Sequence, residues 1–300
     1  MYPKQLSKNQ HYQFTNAQTF ADTPKYARGF IEHDYSIGMH TQDFFEINII
    51  LSGNGMHYIE NRRIPAKCGD VFIIPPDTAH GYVGEKNFDV YHLLLSQRFM
   101  QKYTADLQKL PSFFVLFKAE PLIRPECATL FYLQLTPTQF KKIEELLQSI
   151  KTHSEIDTAF ASVICNNLAV ILITSFCEIY TENTDTIHHQ GTQYDVAFAN
   201  ALAFIYERYC ERISIMDLAK IAQLSRSSFI QKFKAICKMP PAKFILQQRI
   251  ESAKHLLVHT DISIADIASK TGFYDSSHFI KAFTTEVKTT PNIYRKKHSE

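Results

Sequence analysis

Residues 213–291 of this 300-residue chain write one pattern twice. The first copy reads ISIMDLAKIAQLSRSSFIQKFKAICKMPP, and the second reads ISIADIASKTGFYDSSHFIKAFTTEVKTTP. Asp217, Leu218 and Ala219 match Asp266, Ile267 and Ala268 at an offset of 49. Phe229, Phe233 and Pro241 match Phe279, Phe283 and Pro291 at an offset of 50, so the second copy holds one extra residue near its turn. Self-similarity at a fixed period means one supersecondary unit built twice.

Each copy opens with a capping signal, Ser214 three residues before Asp217 and Ser263 three before Asp266. A hydroxyl at the N-cap and a carboxylate in the first turn satisfy exposed helix N–H groups and suit the helix dipole. A short helix, a tight connection and a second helix follow. The small Ala219 and Ala268 let two helices cross closely, while Leu224 and Phe273 plug the turn. This is the helix-turn-helix layout, whose second helix enters the major groove of DNA. Between the copies, residues 242–258 lack Gly and Pro and carry Leu246, Ile250, Ala253 and Leu257 at helical spacing. Such a helix is about 25 Å long. It would set the two recognition helices about one DNA turn, ~34 Å, apart.

Charge points the same way. The whole chain is +2, but residues 195–300 hold 16 Lys and Arg against 10 Asp and Glu, and residues 1–194 hold 16 against 20. A basic back behind an acidic front fits a polyanion-binding C-terminal domain, although ordinary surface charge produces the same split.

On these residues, 195–297 resemble the DNA-binding domain of the AraC/XylS family of transcription regulators, the stretch IADIASKTGFYDSSHFIKAFTTEVKTTPNIYRKK most of all. The family usually has Gly where this chain has Lys238 and Lys288. A left-handed C-cap favours Gly, so lysine must adopt that conformation at a cost or end the helix differently. Matched to the family motif, base-edge contacts fall to Ser227, Ile230, Gln231, Ser276, Ser277, His278 and Lys281, because Phe229, Phe233, Phe279 and Phe283 turn inward. Gln pairs with adenine and Lys donates to guanine. Arg226, Lys232 and Lys234 would meet phosphates and hold register. For each of these side chains a plain solvated role is the competing reading.

Residues up to about 100 read as short strands, Phe44–Leu51, Met56–Glu60, Val71–Ile74 and Val90–Leu95, punctuated by Gly53, Gly55, Gly69 and Pro75–Pro76. That spacing predicts a small sandwich or barrel. Residues 36–95 resemble the cupin-type ligand-binding half of the same family, chiefly through GDVFIIPP followed by His80. The resemblance implies a pocket lined by His40, Glu46, Asn48, His80, Tyr82 and His92, for a small polar effector of the carbohydrate class. The competing role for His40 and His92 is that of satisfied structural histidines. Catalytic cupins bind a metal through histidines and a glutamate, and His40, Glu46 and His80 stand in comparable places. The usual H-x-H pair is missing, since Thr41 and Gln42 follow His40. With a DNA-binding half attached, the expectation is a sensor, with no metal, no cofactor and no catalytic residues. A metal-dependent enzyme is the minor alternative.

Phe140, Ile143, Leu146, Leu147 and Ile150 form an amphipathic stripe behind a cap at Thr136 or Thr138, and a second helix starts near Asp157. The stripe is read as a homodimer contact. Its alternative is packing on the barrel. The greasy run Leu168–Phe176 is too short to span a bilayer and reads as a buried segment. The polar stretch Thr181–Gln193, with His188 and His189, reads as a solvated linker. Six cysteines, Cys68, Cys127, Cys165, Cys177, Cys210 and Cys237, form no C-x-x-C pair and suit a reducing cytosol. The opening residues MYPKQLSKNQ have no apolar core of a signal peptide.

The expected chain is thus α+β. A cupin-like β-barrel (1–135) is followed by a helical dimerisation and linker region (136–180) and by an all-α domain of two helix-turn-helix units (195–300). Its expected partners are double-stranded DNA, a small-molecule effector, RNA polymerase and a second copy, in the cytoplasm with no membrane contact. A front half that only dimerises, and a damage-response or virulence regulator of the same family, remain open.

Overall fold

The computed structural model describes residues 12–20, 25–119, 123, 133–182 and 193–298. The chain separates into two compact units, Met1–Pro121 with Leu130–Gln190, and Leu122–Thr129 with Gly191–Glu300. Residues 183–192, the body of the expected linker with His188 and His189, and Cys127 lie outside the described residues.

The described residues of the first unit form ten strands: β1 (Tyr12–Phe14), β2 (Ala27–Glu32), β3 (Ser36–Gln42), β4 (Phe45–Ser52), β5 (Asn54–Ile59), β6 (Arg62–Lys67), β7 (Asp70–Ile74), β8 (His80–Gly84), β9 (Asp89–Leu95) and β10 (Leu133–Gln134). They form two five-stranded sheets, ordered β1-β3-β8-β5-β6 and β10-β7-β4-β9-β2. Period-two alternation fills the space between the sheets. Ile37, Ile50, Ile59, Ile64, Phe72, Ile74, Tyr82, Phe88, Val90 and Leu94 make one buried cluster there. On β4 and β9 the alternate residues Ile47, Ile49, Tyr91 and Leu93 are buried as well, so the second sheet is covered on both faces. That explains why its strands read as continuous apolar runs and not as alternation.

Helices α1 (Asn16–Phe20), α2 (Gln97–Leu107), α3 (Pro111–Phe114, leading into a π-helical turn at Val115–Ala119), α4 (Pro137–Glu155) and α5 (Ala159–Glu182) belong to this unit. Thr136 caps α4 in a full capping box with Gln139. The stripe expected to join two copies is spent inside the chain. Ile143, Leu147 and Ile150 are buried, and α4 packs on β2 and α5. A helix beside a sheet buries its apolar face on the nearest apolar surface, and here that surface is the chain's own. Helix α5 is the one described helix long and apolar enough to cross a membrane. Half of its most apolar stretch is buried.

Strand β2 is an edge of the second sheet, and side chains from α4 and α5 satisfy its open groups. Asn166 Oδ1 accepts from the amides of Tyr26 and Ala27 at 3.0 Å each. Ser154 Oγ accepts from Gly29 N at 2.8 Å. Cys165 Sγ donates to Ala27 O at 3.3 Å, and Lys25 Nζ donates to Ser154 O at 2.9 Å. Covering an edge in this way removes a template for foreign strands. Gly29 is required there, because a Cβ would run into Tyr91 and Ile150.

The second unit contains α6 (Gln193–Arg208), α7 (Ile215–Ile221), α8 (Arg226–Cys237), α9 (Pro241–His259), α10 (Ile264–Lys270), α11 (Ser276–Val287) and α12 (Pro291–His298). The caps at Ser214 and Ser263 form as the sequence requires, accepting from Met216 N and Asp266 N. Phe198, Phe229, Phe233 and Phe244 meet edge-on or tilted and fill the first helix-turn-helix. Ile250, Ala253, Leu257, Ile267, Phe273, Phe279 and Phe283 fill the second. Helix α9 contributes Phe244 and Ile245 toward its start and Ile250, Ala253 and Leu257 further along, all buried. It is shared by both small cores. Each buried Phe is worth roughly 1.5–3 kcal/mol over an exposed one.

Candidate functional site

The two helices expected to read DNA are α8 and α11. Each begins at a polar cap that follows a tight turn. Ser225 accepts from Ser228 N, and Asp275 accepts from His278 N. The turn needs a left-handed residue in both copies: Gln223 at φ 53° in the first and Gly272 at φ 79° in the second. At Gly272 a Cβ would press on the Cys210 carbonyl. Both helices also end in left-handed lysines, Lys238 at φ 56° and Lys288 at φ 63°. Lysine therefore adopts the left-handed C-cap itself and does not end the helix in another way.

Phe229, Phe233, Phe279 and Phe283 are buried, which turns the opposite faces outward. Arg226, Ser227, Gln231, Lys234, Ser277, His278 and Lys281 are exposed, and Ile230 and Ser276 are half-buried. Lys232 stands apart from this set. It is half-buried, with its ammonium 5.4 Å from the centre of the Phe198 ring, so its charge is engaged within its own unit. The extra residue of the second copy is Tyr274. It lies directly before the Asp275 cap and is 93% exposed. The offset change marked its position but not its identity as a surface aromatic.

In the first unit the structure brings the six expected pocket residues together between the sheets. His40 and His80 are direct cross-strand partners on β3 and β8, with ring centres 4.2 Å apart. Asn48 pairs with His92 across β4 and β9. Glu46 sits on β4 on the same face as Asn48. Its Oε1 accepts from His92 Nδ1 at 2.8 Å, and its Oε2 lies 3.3 Å from His80 Nε2. Asn48 Nδ2 donates to the Tyr82 hydroxyl at 3.2 Å. All six side chains are essentially inaccessible to solvent.

Two further residues belong to this interior. His57 on β5 is fully buried, stacked on Tyr82 at 4.2 Å. Gln42 on β3 is buried, and neither atom of its side-chain amide has a hydrogen-bond partner among the described residues. Alternation along β5 and β3 was the available signal, since His57 lies two residues from Ile59 and Gln42 two from His40.

The electrostatics follow from burial. Burial alone would push the Glu46 carboxyl up; the His80 and His92 rings against its two oxygens outweigh it and hold the group well below the usual carboxylate range. Burial, helped by the neighbouring His80, lowers His40 to about 4. Burial also pushes the Tyr82 phenol well above its ordinary value. The interior is therefore a carboxylate ringed by imidazoles, a phenol and two amides. Such a set hydrogen-bonds hydroxyls or coordinates a cation. A surface groove of about 680 Å³ lies elsewhere, lined by Ile31, Leu51, Tyr91, Phe140, Leu147 and neighbouring α4 residues. None of the six expected pocket residues reaches it.

Comparison with known proteins agrees with both halves. The profile of the AraC-like ligand binding domain matches residues 26–164, and that of a helix-turn-helix domain matches residues 218–297. The chain is similar to the uncharacterized HTH-type transcriptional regulator YdeC of Bacillus subtilis, 26% identical over 273 residues, covering 88% of this chain and 87% of the relative. It is similar to the HTH-type transcriptional activator RhaR of Cronobacter sakazakii, 24% identical over 264 residues, covering 85% and 86%. Among solved structures, the C-terminal domain of the two-component response regulator yesN from Fusobacterium nucleatum is 31% identical, covering 32% of this chain and 93% of that one, with a TM-score of 0.31. Two domain profiles in this order, and relatives aligned along nearly their whole length, place the sequence: the chain belongs to the AraC family of DNA-binding transcription regulators, with a ligand-binding domain ahead of its helix-turn-helix domain.

Proposed function

We propose that this regulator reads a specific double-stranded sequence through α8 and α11 and responds to a small polar effector held between the sheets of its first unit. The observation that carries the effector reading is the buried polar cluster. Burying a carboxylate, several imidazoles and two amides in place of an apolar core is costly unless they are paired or used. Hydroxyl groups of a carbohydrate match these donors and acceptors, and the rings of Phe30 and Tyr35, both in contact with His92, offer an apolar surface to a sugar face. Effector binding acts by linkage. It changes affinity for a promoter, or contact with RNA polymerase, only as far as the effector prefers one arrangement of the protein over another. The chain is a regulator and not an enzyme, and it works in the cytoplasm beside its DNA.

A homodimer is supported by helix α5. Phe160 (84% exposed), Val163 (61%), Ile164 and Ile171 (53%) form an apolar stripe on its open face. That stripe also favours the second reading, a front half that serves pairing alone.

A thermal-shift screen of the full chain against sugars and other polar metabolites separates the two readings. A ligand at 100 times its dissociation constant adds about 2.7 kcal/mol. A shift with one sugar that is lost in His80→Ala supports the effector site. A sugar shift that survives His80→Ala overturns the placement of that site. No shift with any compound, together with a stable dimer in sedimentation, overturns the effector reading in favour of pairing.

A further inference from the structure

We infer that the first unit holds a divalent transition-metal ion on His40, Glu46 and His80. One ring nitrogen from each histidine and one carboxylate oxygen lie within 4.8 Å of one another, all three residues being buried. Ligand atoms that share an ion at about 2.0–2.2 Å stand roughly 3–3.5 Å apart, so the three would need to close in by about 1 Å.

The hydrogen bonds around the rings carry the argument. His40 Nδ1 lies 3.0 Å from the Gly38 carbonyl, and His80 Nδ1 lies 3.2 Å from the Thr78 carbonyl. A carbonyl oxygen only accepts, so each Nδ1 bears the hydrogen. In a neutral ring the other nitrogen, Nε2, is then a lone pair. For His80 that lone pair faces Glu46 Oε2 at 3.3 Å. Two acceptors at that distance repel each other. Something positive must lie between them, a second proton on the ring or a metal ion. The backbone carbonyl behind each Nδ1 fixes ring and tautomer as metal-ligating histidines usually require. His92 completes the arrangement by donating to the other oxygen of Glu46 at 2.8 Å. It holds the carboxylate from behind. Gln42 and the Asn48 Oδ1, both buried, add polar atoms with no hydrogen-bond partner among the described residues. Two imidazoles and one carboxylate suit iron, manganese, cobalt or zinc, and such a set leaves coordination positions open. Those positions give a hydroxyl or carboxylate of an effector its anchor. In location the metal site rests on the effector reading above, but its binding to the protein does not depend on any effector.

The test is metal content and spectroscopy of the full chain. Chelator-stripped protein is dialysed against Zn²⁺, Mn²⁺ or Co²⁺ and its metal measured, and the visible spectrum of the Co²⁺ form is recorded. The expected result is about one ion per chain, with affinity falling 10-fold or more in Glu46→Gln and in His40→Asn. Because Cys68 and Cys210 are exposed thiols, X-ray absorption at the zinc edge of the wild type provides a readout that needs no variant. A shell of nitrogen and oxygen at about 2.0–2.2 Å is expected, and sulfur at about 2.3 Å would place the ion elsewhere and overturn the site. Metal uptake below a tenth of an ion per chain also overturns it, as does uptake unchanged in a folded Glu46→Gln, His40→Asn double variant. A sugar shift that persists in metal-free protein leaves the effector reading standing while the metal site falls.

Discussion

Replacing Asn166 by leucine tests whether helix α5 secures the sheet edge. Asn166 Oδ1 accepts two amides, Tyr26 N and Ala27 N, each at 3.0 Å. Leucine keeps the number and branching of the heavy atoms, so the change removes an acceptor without opening a cavity. A buried donor left without a partner costs about 1–3 kcal/mol. Ala27 is fully buried, and the Tyr26 amide lies in a partly buried setting, so the first loss falls in the middle of that range and the second at its foot. The sum is about 2–4 kcal/mol. For a unit of this size, each kcal/mol moves the midpoint by roughly 2–4 °C, giving a fall of about 4–16 °C. Because the chain has two units, the transition of the first must be followed on its own, by calorimetry with assigned peaks or by hydrogen exchange at Ala27. Asn166→Asp is the control, because a carboxylate still accepts both amides. The expected order of stability is wild type, then Asp, then Leu. A leucine variant within about 0.5 kcal/mol of wild type, the spread of ordinary surface changes, would refute the account of how β2 is sealed.

Other consequences are open to direct measurement. Gln231→Ala should lose about 1–3 kcal/mol of discrimination between a matched and a mismatched site, read by competition binding. Lys234→Ala should weaken all DNA alike and lower the salt slope by about 1. Lys238→Gly and Lys288→Gly should each stabilise the second unit by about 0.5–1 kcal/mol in denaturant melts, since both replace a left-handed lysine. Burial pushes the Asp70 carboxyl from 3.8 up to about 6, against the pull of the Lys67 amide and ammonium and of Gln134. The folded state therefore binds that proton more tightly than the unfolded one. Its contribution is full below about pH 4 and is lost as pH rises through about 6, a decline on the order of 3 kcal/mol that Asp70→Asn should flatten.

The second unit was the more legible half, and the reason is locality. Its caps, turns and core positions lie within a few residues of one another, so Ser214, Ser263, Phe229 and Phe279 could be placed from spacing alone. Even the strained ends at Lys238 and Lys288 were visible as a departure from glycine. What spacing did not show was that Lys232 covers the Phe198 ring, because Phe198 lies 34 residues earlier on a different helix. In the first unit the reverse holds. The buried polar cluster depends on strands β3, β4, β8 and β9 meeting across two sheets, and single-strand alternation cannot say which strands meet. The six residues named for it came from resemblance, and His57 and Gln42 were missed. The Phe140–Ile150 stripe was read correctly as an apolar face, and of the two partners weighed for it the structure shows the packing on the chain's own sheet. An amphipathic helix declares that it must be covered and not by what. The true open face, Phe160 to Ile171 on α5, was hidden because that helix is apolar all round.

The inequality of the two helix-turn-helix units gives the regulator a compass. Helix α8 follows a glutamine turn and a serine cap, whereas α11 follows a glycine turn, a protruding Tyr274 and an aspartate cap. On the proposed reading, one chain carries two unlike readers in fixed order. The DNA they would recognise is not the same when read from the other strand, so the site would have a head and a tail. Reversing such a site in front of a gene would keep the protein bound yet turn it to face the wrong way.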